Sequence, residues 1–192
     1  MYIPDNQRKL TYEEYLALGD EARYEVIDGQ IFNMSPAPST KHQAIQRELL
    51  TEFNIYLRGK KCRVFGSPLD VCFSEKDNDI KNIKEWVEPD LVIVCDPSKI
   101  QEKRIVGPPD LVVEILSKST VKKDKLVKFN RYQKAGVKEY WIVDPSNETV
   151  DIYLLKNSVF QHQGIFFRDD QVPVHLFENF TIDLGSIFQN AE

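Results

Sequence analysis

The sequence predicts an α/β (α+β) fold, a mixed β-sheet core flanked by helices with added hairpins, on three observations. Two short apolar runs, Glu88-Pro89-Asp90-Leu91-Val92-Ile93-Val94 and Asp110-Leu111-Val112-Val113-Glu114-Ile115-Leu116, are β-branched and bounded by proline and polar turns, as strands inside a sheet are. After the second run, Ser117-Lys118-Ser119-Thr120 leads into a lysine-rich helical segment from Val121 to Ala135. Gly136-Val137-Lys138-Glu139-Tyr140-Trp141-Ile142-Val143-Asp144 follows, and strand, helix and strand in that rhythm make a βαβ unit. Hairpin patterns lie at both ends, around Asp28-Gly29 and from Thr149 to Leu155.

In chain order, Tyr12 to Leu18 is an acidic, aromatic short helix with Thr11 as N-cap and Gly19 at its end. Ala22 to Met34 centres on an Asp-Gly turn between two strands. Glu25, just before that turn, reads either as an exposed strand acid or as support for a site. Pro36 and Pro38 mark a loop, and Ser39 or Thr40 can cap a helix running to about Leu57. His42, Ile45, Leu49, Phe53 and Tyr56 fall on one helical face, so the helix packs on the sheet with His42 at its head. A lone histidine there is more often a hydrogen-bonded edge residue than a ligand.

From Cys62 to Ser74 the alternation predicts one long, kinked strand with Pro68 as its bend, and Asp70 on it is expected to point to solvent. Glu75 to Lys84 reads as a solvated loop. Asp96-Pro97-Ser98 makes a turn, Lys103-Arg104 marks an exposed crossing, and Gly107-Pro108-Pro109 sets up the second carboxylate run. Beyond Leu155, Phe160, Ile165, Phe166, Phe167, Val172, Leu176, Phe177 and Phe180 add strands and cover the core. The 192 residues are expected to form one domain, with a core from about 11 to 155 and a β-rich extension over 156–192.

Hydrophobic residues at 42% and charged residues at 29% are ordinary for a globular protein, so disorder is not the default. A net charge of -5 argues against coating nucleic acid with a broad basic surface, though not against local contact through a metal and one basic helix. The three cysteines, Cys62, Cys72 and Cys95, form no CxxC and read as reduced thiols. With no signal pattern and no membrane-length apolar run, the expected location is cytoplasmic.

An acid inside a buried strand costs several kcal/mol unless something compensates it, and a divalent metal is the first candidate. Asp110 and Glu114 share a face but lie about 13 Å apart at roughly 3.3 Å per residue, too far to share an ion. Asp90 and Glu114, on separate strands, converge if those strands are neighbours, and paired carboxylates suit a hard cation. Pro109-Asp110 is then a decoy beside Pro89-Asp90.

Pro89-Asp90 followed by Glu114-Ile115-Leu116 resembles the PD-(D/E)xK nuclease superfamily. The wider pattern resembles a family of small bacterial restriction-endonuclease-like proteins, numerous in cyanobacteria. Its matching pieces are Tyr24-Glu25-Val26-Ile27-Asp28-Gly29, His42, the two carboxylate runs with Ser117, Ser119-Thr120, Asp124, Lys128, Tyr132 and Gly136 to Asp144. The resemblance implies a restriction-endonuclease-like core in which Asp90, Glu114 and the Ile115 carbonyl hold Mg2+ or Mn2+. Leu116 departs from the pattern, since it stands where the superfamily has its lysine. In the resembling family a lysine on the following helix can replace it, which here is Lys128. At 3.6 residues per turn Lys128 falls at the margin of an apolar arc of Val121, Leu126, Phe129, Tyr132 and Ala135, with Lys125 as its rival. The plain alternative is an Asp124 to Lys128 pair on an exposed helix. Lys118 stands where the family commonly has proline and takes no role.

The resemblance implies metal-assisted phosphodiester hydrolysis of nucleic acid, DNA first, with Glu25 and His42 as accessories, and a homodimer is expected because small nucleases that cut duplexes often need two sites. Two competitors stand beside it: a nuclease fold that no longer cuts and serves as a binding module, and another two-carboxylate hydrolase such as a glycosidase.

Overall fold

In the computed structural model, which describes residues 10–19, 23–34, 38–74, 79–117 and 121–191, local signals set the first elements. The Thr11 hydroxyl accepts from the Glu14 N–H at 3.2 Å and the Glu14 carboxylate from the Thr11 N–H at 3.0 Å, a capping box that starts α1 (Tyr12–Ala17). Asp28 and Gly29, with φ of 49° and 76°, turn β1 (Tyr24–Ile27) back onto β2 (Gln30–Asn33). Ser39 caps α2 (Thr40–Leu57) by accepting from the His42 N–H at 3.2 Å.

The expected long strand from Cys62 to Ser74 is two strands, β3 (Arg63–Gly66) and β4 (Asp70–Cys72), in different sheets. They part at a cis Ser67-Pro68 bond, because a proline has no N–H to continue a ladder. Of the expected solvated loop, residues 75–78 lie outside those described, and Ile83 is fully buried with its carbonyl on the Tyr12 N–H at 2.8 Å. That segment anchors α1. After β5 (Trp86–Val87) and β6 (Leu91–Val94), Arg104 does not begin an exposed crossing but β7 (Arg104–Val106), which runs parallel to β4.

β8 (Leu111–Ile115) leads through a π-helical segment, Lys123–Lys128, into α3 (Phe129–Ala135) and β9 (Glu139–Asp144). β10 (Thr149–Lys156) and β11 (Val159–Phe167) form the expected hairpin, and β12 (Gln171–Pro173), β13 (Thr181–Asp183) and α4 (Leu184–Gln189) complete the chain.

The six-stranded sheet has the order β11-β10-β9-β8-β6-β3, mixed because only β8 and β9 pair in parallel. A five-stranded sheet, β2-β1-β5-β4-β7, stands beside it. Alternation sorts the larger sheet into two faces. Leu91, Ile93, Leu111, Val113, Trp141 and Val143 pack against Ile45, Leu49 and Phe53 of α2 and the C-terminal segment, whereas Val92, Val94, Val112, Tyr140 and Ile142 pack against Tyr132 of α3. The helices of the two faces therefore approach the same strand ends from opposite sides. No described helix is long and apolar enough to cross a membrane.

The cysteine expectation is corrected. Cys62 and Cys95 are bonded to each other, and only Cys72, buried, is free. Arg63 pairs with Val94 across the β3–β6 ladder, so the next residues out, Cys62 and Cys95, face each other, a proximity their spacing in sequence does not show.

Glu139 ties the C-terminal segment to the sheet, since its carboxylate accepts from Trp141 Nε1 at 2.7 Å, the His175 N–H at 3.1 Å and the Leu176 N–H at 2.7 Å. Glu139→Ala would strand three donors, one of them in the core. We expect a loss of about 2–4 kcal/mol in urea unfolding, and a loss below about 0.5 kcal/mol would show that water replaces the carboxylate.

Candidate active site

Antiparallel pairing of Leu91 with Val113 sets Asp90 and Glu114 opposite each other at one end of β6 and β8. The Ile115 N–H donates to Asp90 Oδ2 at 2.7 Å. Both acids share parity with Val92 and Val112, which turns them to the face covered by the π-helical segment and α3. Asp110, at the far end of the same face, accepts from the Cys95 N–H and from Lys138 Nζ, each at 2.7 Å, and is structural. Asp70 does not point freely to solvent as expected: it is half-buried and accepts from the Tyr12 hydroxyl at 2.7 Å in the neighbouring sheet.

Lys128 comes down on this pair from above. Its Nζ lies 2.9 Å from Glu114 Oε1, 2.8 Å from Glu25 Oε1 and 4.0 Å from Asp124 Oδ1, and the residue is 3% exposed. The Tyr132 hydroxyl donates to the same Glu114 oxygen at 2.6 Å. Glu25, 1% exposed, also accepts from the Glu88 N–H at 3.0 Å and pairs with Lys123, so it is no exposed strand acid. His42 arrives from the α2 face, its Nε2 3.3 Å from Asp90 Oδ2.

The helical arc drawn from the sequence is corrected. Val121 is 40% and Leu126 54% exposed, while Asp124, Lys128, Arg131 and Tyr132 are buried. The wider π-helical turn shifts the phase that 3.6 residues per turn implies. The Asp124 to Lys128 pair is consequently buried, and Lys125, the rival, is exposed.

Charge in the cleft is unevenly compensated. Burial alone would raise the Glu25 carboxyl, but Lys128 and Lys123 reverse this and hold it below the ordinary value. Glu114 goes the other way: burial pushes it well up, and the charges of Asp124, Asp90 and Glu25 add to the rise against Lys128. Lys128, despite burial, is held firmly protonated by Glu114, Glu25 and Asp124. Burial lowers His42, and its bonds to Asp90 and to the Ile115 carbonyl more than restore it. Asp90 and Glu114 line a cleft of about 700 Å³ with Arg23, Lys41, Glu88 and Ser67.

Among the described residues no three His, Cys, Asp or Glu side chains group as a ready metal cage. The donor set still fits a magnesium-type ion, which takes one or two carboxylates and keeps several waters. Asp90, Glu114 and the Ile115 carbonyl are hard oxygen donors, and the push on Glu114 is what an added cation would relieve. The sequence reading missed Lys123, Glu88 and Arg23. Their only signal was position: Lys123 lies five residues before Lys128, and Glu88 next to Pro89-Asp90.

Comparison with known proteins bears on the family and the fold. Over 148 residues the chain is 32% identical to an uncharacterised protein of Synechocystis sp., covering 76% of this chain and 74% of that one. Its structure superposes with a TM-score of 0.74 and 25% identity on a crystal structure described as a putative nuclease belonging to DUF820 from Anabaena variabilis, covering 95% of this chain and 99% of that one. Residues 12–185 match the family described as "Uma2: Putative restriction endonuclease", and the chain belongs to that family.

Proposed function

We propose that this protein is a divalent-metal-dependent endonuclease that hydrolyses phosphodiester bonds of nucleic acid, with DNA as its substrate. The observation that carries the reading is Lys128, which reaches Glu114 from the helix side while Leu116, in the strand position where a lysine is usual, is buried and offers no cation. Asp90, Glu114 and the Ile115 carbonyl would hold Mg2+ or Mn2+. Such an ion supplies Lewis-acid polarisation of the phosphate and a more acidic water.

The chain's own residues do the rest. Lys128 offers a fixed positive charge beside Glu114, where it can orient the attacking water or stabilise negative charge growing on the phosphate. Tyr132 and Glu25 hold Glu114 and the Lys128 ammonium in place, and His42 holds Asp90. Two copies acting together would cut both strands of a duplex.

Magnesium titration by calorimetry beside a plasmid-nicking assay tests the reading. Wild type is expected to bind the ion and nick, and Asp90→Ala with Glu114→Ala to do neither. A wild type that binds no magnesium and nicks nothing would leave the fold as a binding module, and turnover of glycosides in chelator would point to the other hydrolase class.

A further inference from the structure

At the edge of the cleft Ser67 meets Gln46 of α2. Gln46 Nε2 donates to the Ser67 hydroxyl at 2.9 Å and to the Asp90 carbonyl at 2.6 Å. Gln46 also lines a second, more open hollow of about 400 Å³ between α2 and β3, with Gln43, Arg47, Leu50, Thr51, Asn54 and Val64. One hydrogen-bonded side chain therefore separates the acid-lined cleft from a hollow whose lining holds no carboxylate. Arg47 there is paired with Glu48 at 2.7 Å and the Gln46 amide is spent on Ser67 and Asp90, which leaves the amides of Gln43 and Asn54 turned to the hollow.

Beyond the hollow α2 stops, and the chain turns through Arg58-Gly59-Lys60-Lys61-Cys62-Arg63 into β3, four cations in six residues of a protein with net charge -5. Arg58, Lys60, Lys61 and Arg63 are all exposed, and none is in an ion pair among the described residues. Asp96 is within electrostatic reach of Lys61 without pairing with it. The turn is also held in place. Arg63 Nη1 donates to the Lys60 and Cys62 carbonyls at 2.5 and 3.2 Å, Lys60 Nζ sits 3.0 Å from the Tyr56 ring centroid, and Cys62 is bonded to Cys95.

We infer that the hollow between α2 and β3 and the turn at 58–63 form a track for the sugar–phosphate backbone of the nucleic acid whose bond lies in the cleft. Flanking phosphates run from Ser67 past Gln46, which is held by its own hydrogen bonds, and the amides of Gln43 and Asn54 to Arg58, Lys60 and Lys61. This rests on the phosphodiester reading of the cleft and adds what that reading lacks, since an acid-rich cleft on an acidic protein repels a polyanion unless cations elsewhere attract it. Amides and surface cations contact phosphates without reading sequence, so the track positions the strand rather than specifying it. From Gln46 to Arg58 is about 18 Å at 1.5 Å per residue, roughly five nucleotides at 3.4 Å each. A flat anionic membrane would meet the turn but not the amide-lined hollow, which favours a strand.

The test is fluorescence anisotropy of a labelled duplex in chelator, across a salt series, with the full chain. Arg58→Gln with Lys60→Gln and Lys61→Gln is expected to weaken binding about tenfold, and to flatten the slope of log K against log salt by about 2 to 3, on a duplex of about 24 base pairs. On a duplex of about 6 base pairs, too short to span cleft and turn, the two proteins should differ little. Neutralising Lys103, Lys134 and Lys156, exposed elsewhere, should leave binding near wild type. Equal losses in both triple variants, no loss in the first, or no duplex binding by wild type overturns the track. So does unchanged duplex affinity with retention on phosphatidylserine vesicles abolished. Lys61→Glu alone, exposed and unpaired, repeats the test should the triple variant unfold. Because binding is read without metal or turnover, a wild type that binds through this turn but never nicks would sink the nuclease reading and leave the track standing.

Discussion

Lys128→Met is expected to lower stability by about 3–5 kcal/mol, the usual result of removing one partner from a buried ion pair. Methionine keeps the length of the side chain and removes its charge. Glu114 and Glu25, at 3% and 1% exposure, would then face each other's field with one cation fewer, and neither can turn to water. Any nicking activity should fall by about 100- to 1000-fold or more, the cost of losing one fixed donor aimed at developing charge. Urea unfolding and plasmid nicking read the two effects separately. Adding Glu114→Leu should recover much of the stability, because a buried pair replaced by apolar side chains of similar volume is often neutral, yet should recover no nicking. A single variant as stable as wild type would mean that the cleft admits enough water to solvate both acids.

Glu25→Gln is expected to cost about 3 kcal/mol near neutral pH, since it leaves Lys123 without its partner and Lys128 with only Glu114 close by. The effect has a pH signature of known sign. Burial alone would raise the Glu25 carboxyl, but Lys128 and Lys123 depress it below its ordinary 4.5, so the folded state releases this proton more readily than the unfolded chain. Its stabilisation is therefore complete above about pH 4.5 and fades as the pH falls through the lower folded value. The gap in urea midpoint between wild type and Glu25→Gln should accordingly narrow on acidification from pH 7 to 4. A gap that stayed constant or widened would show that Glu25 is not the ionised partner of the two lysines.

Much of this was legible in local sequence. Alternation and β-branched content marked the strands around Asp90 and Glu114. The Asp28-Gly29 turn, the Thr11 and Ser39 caps and the βαβ rhythm each depend on neighbours within a few residues, so each could be read without the fold. Four-residue spacing along one strand also set Asp110 aside as a partner for Glu114, because spacing along a strand is a local quantity. What went wrong was non-local or a departure from regular geometry. The π-helical turn moved Val121 and Leu126 to the surface, Pro68 sent β3 and β4 into different sheets, and Cys62 met Cys95 only through the β3–β6 register.

By itself, then, the sequence determined most strands, the caps and the turns, offered Asp90 and Glu114 as the candidate acid pair by their spacing, and offered Lys128 as the candidate cation through its family resemblance. Backbone periodicity and side-chain alternation carry the strands, caps, turns and acid spacing over short distances. Only the tertiary structure decided that Glu25 is buried on Lys128 and Lys123, that Lys125 is outside, that His42 lies against Asp90, and that an acid-free hollow lies on the other side of Gln46 from the cleft. These depend on how two sheets and two helices meet at one set of strand ends. Burial and electrostatic partnership there are properties of the packed assembly, not of any segment within it.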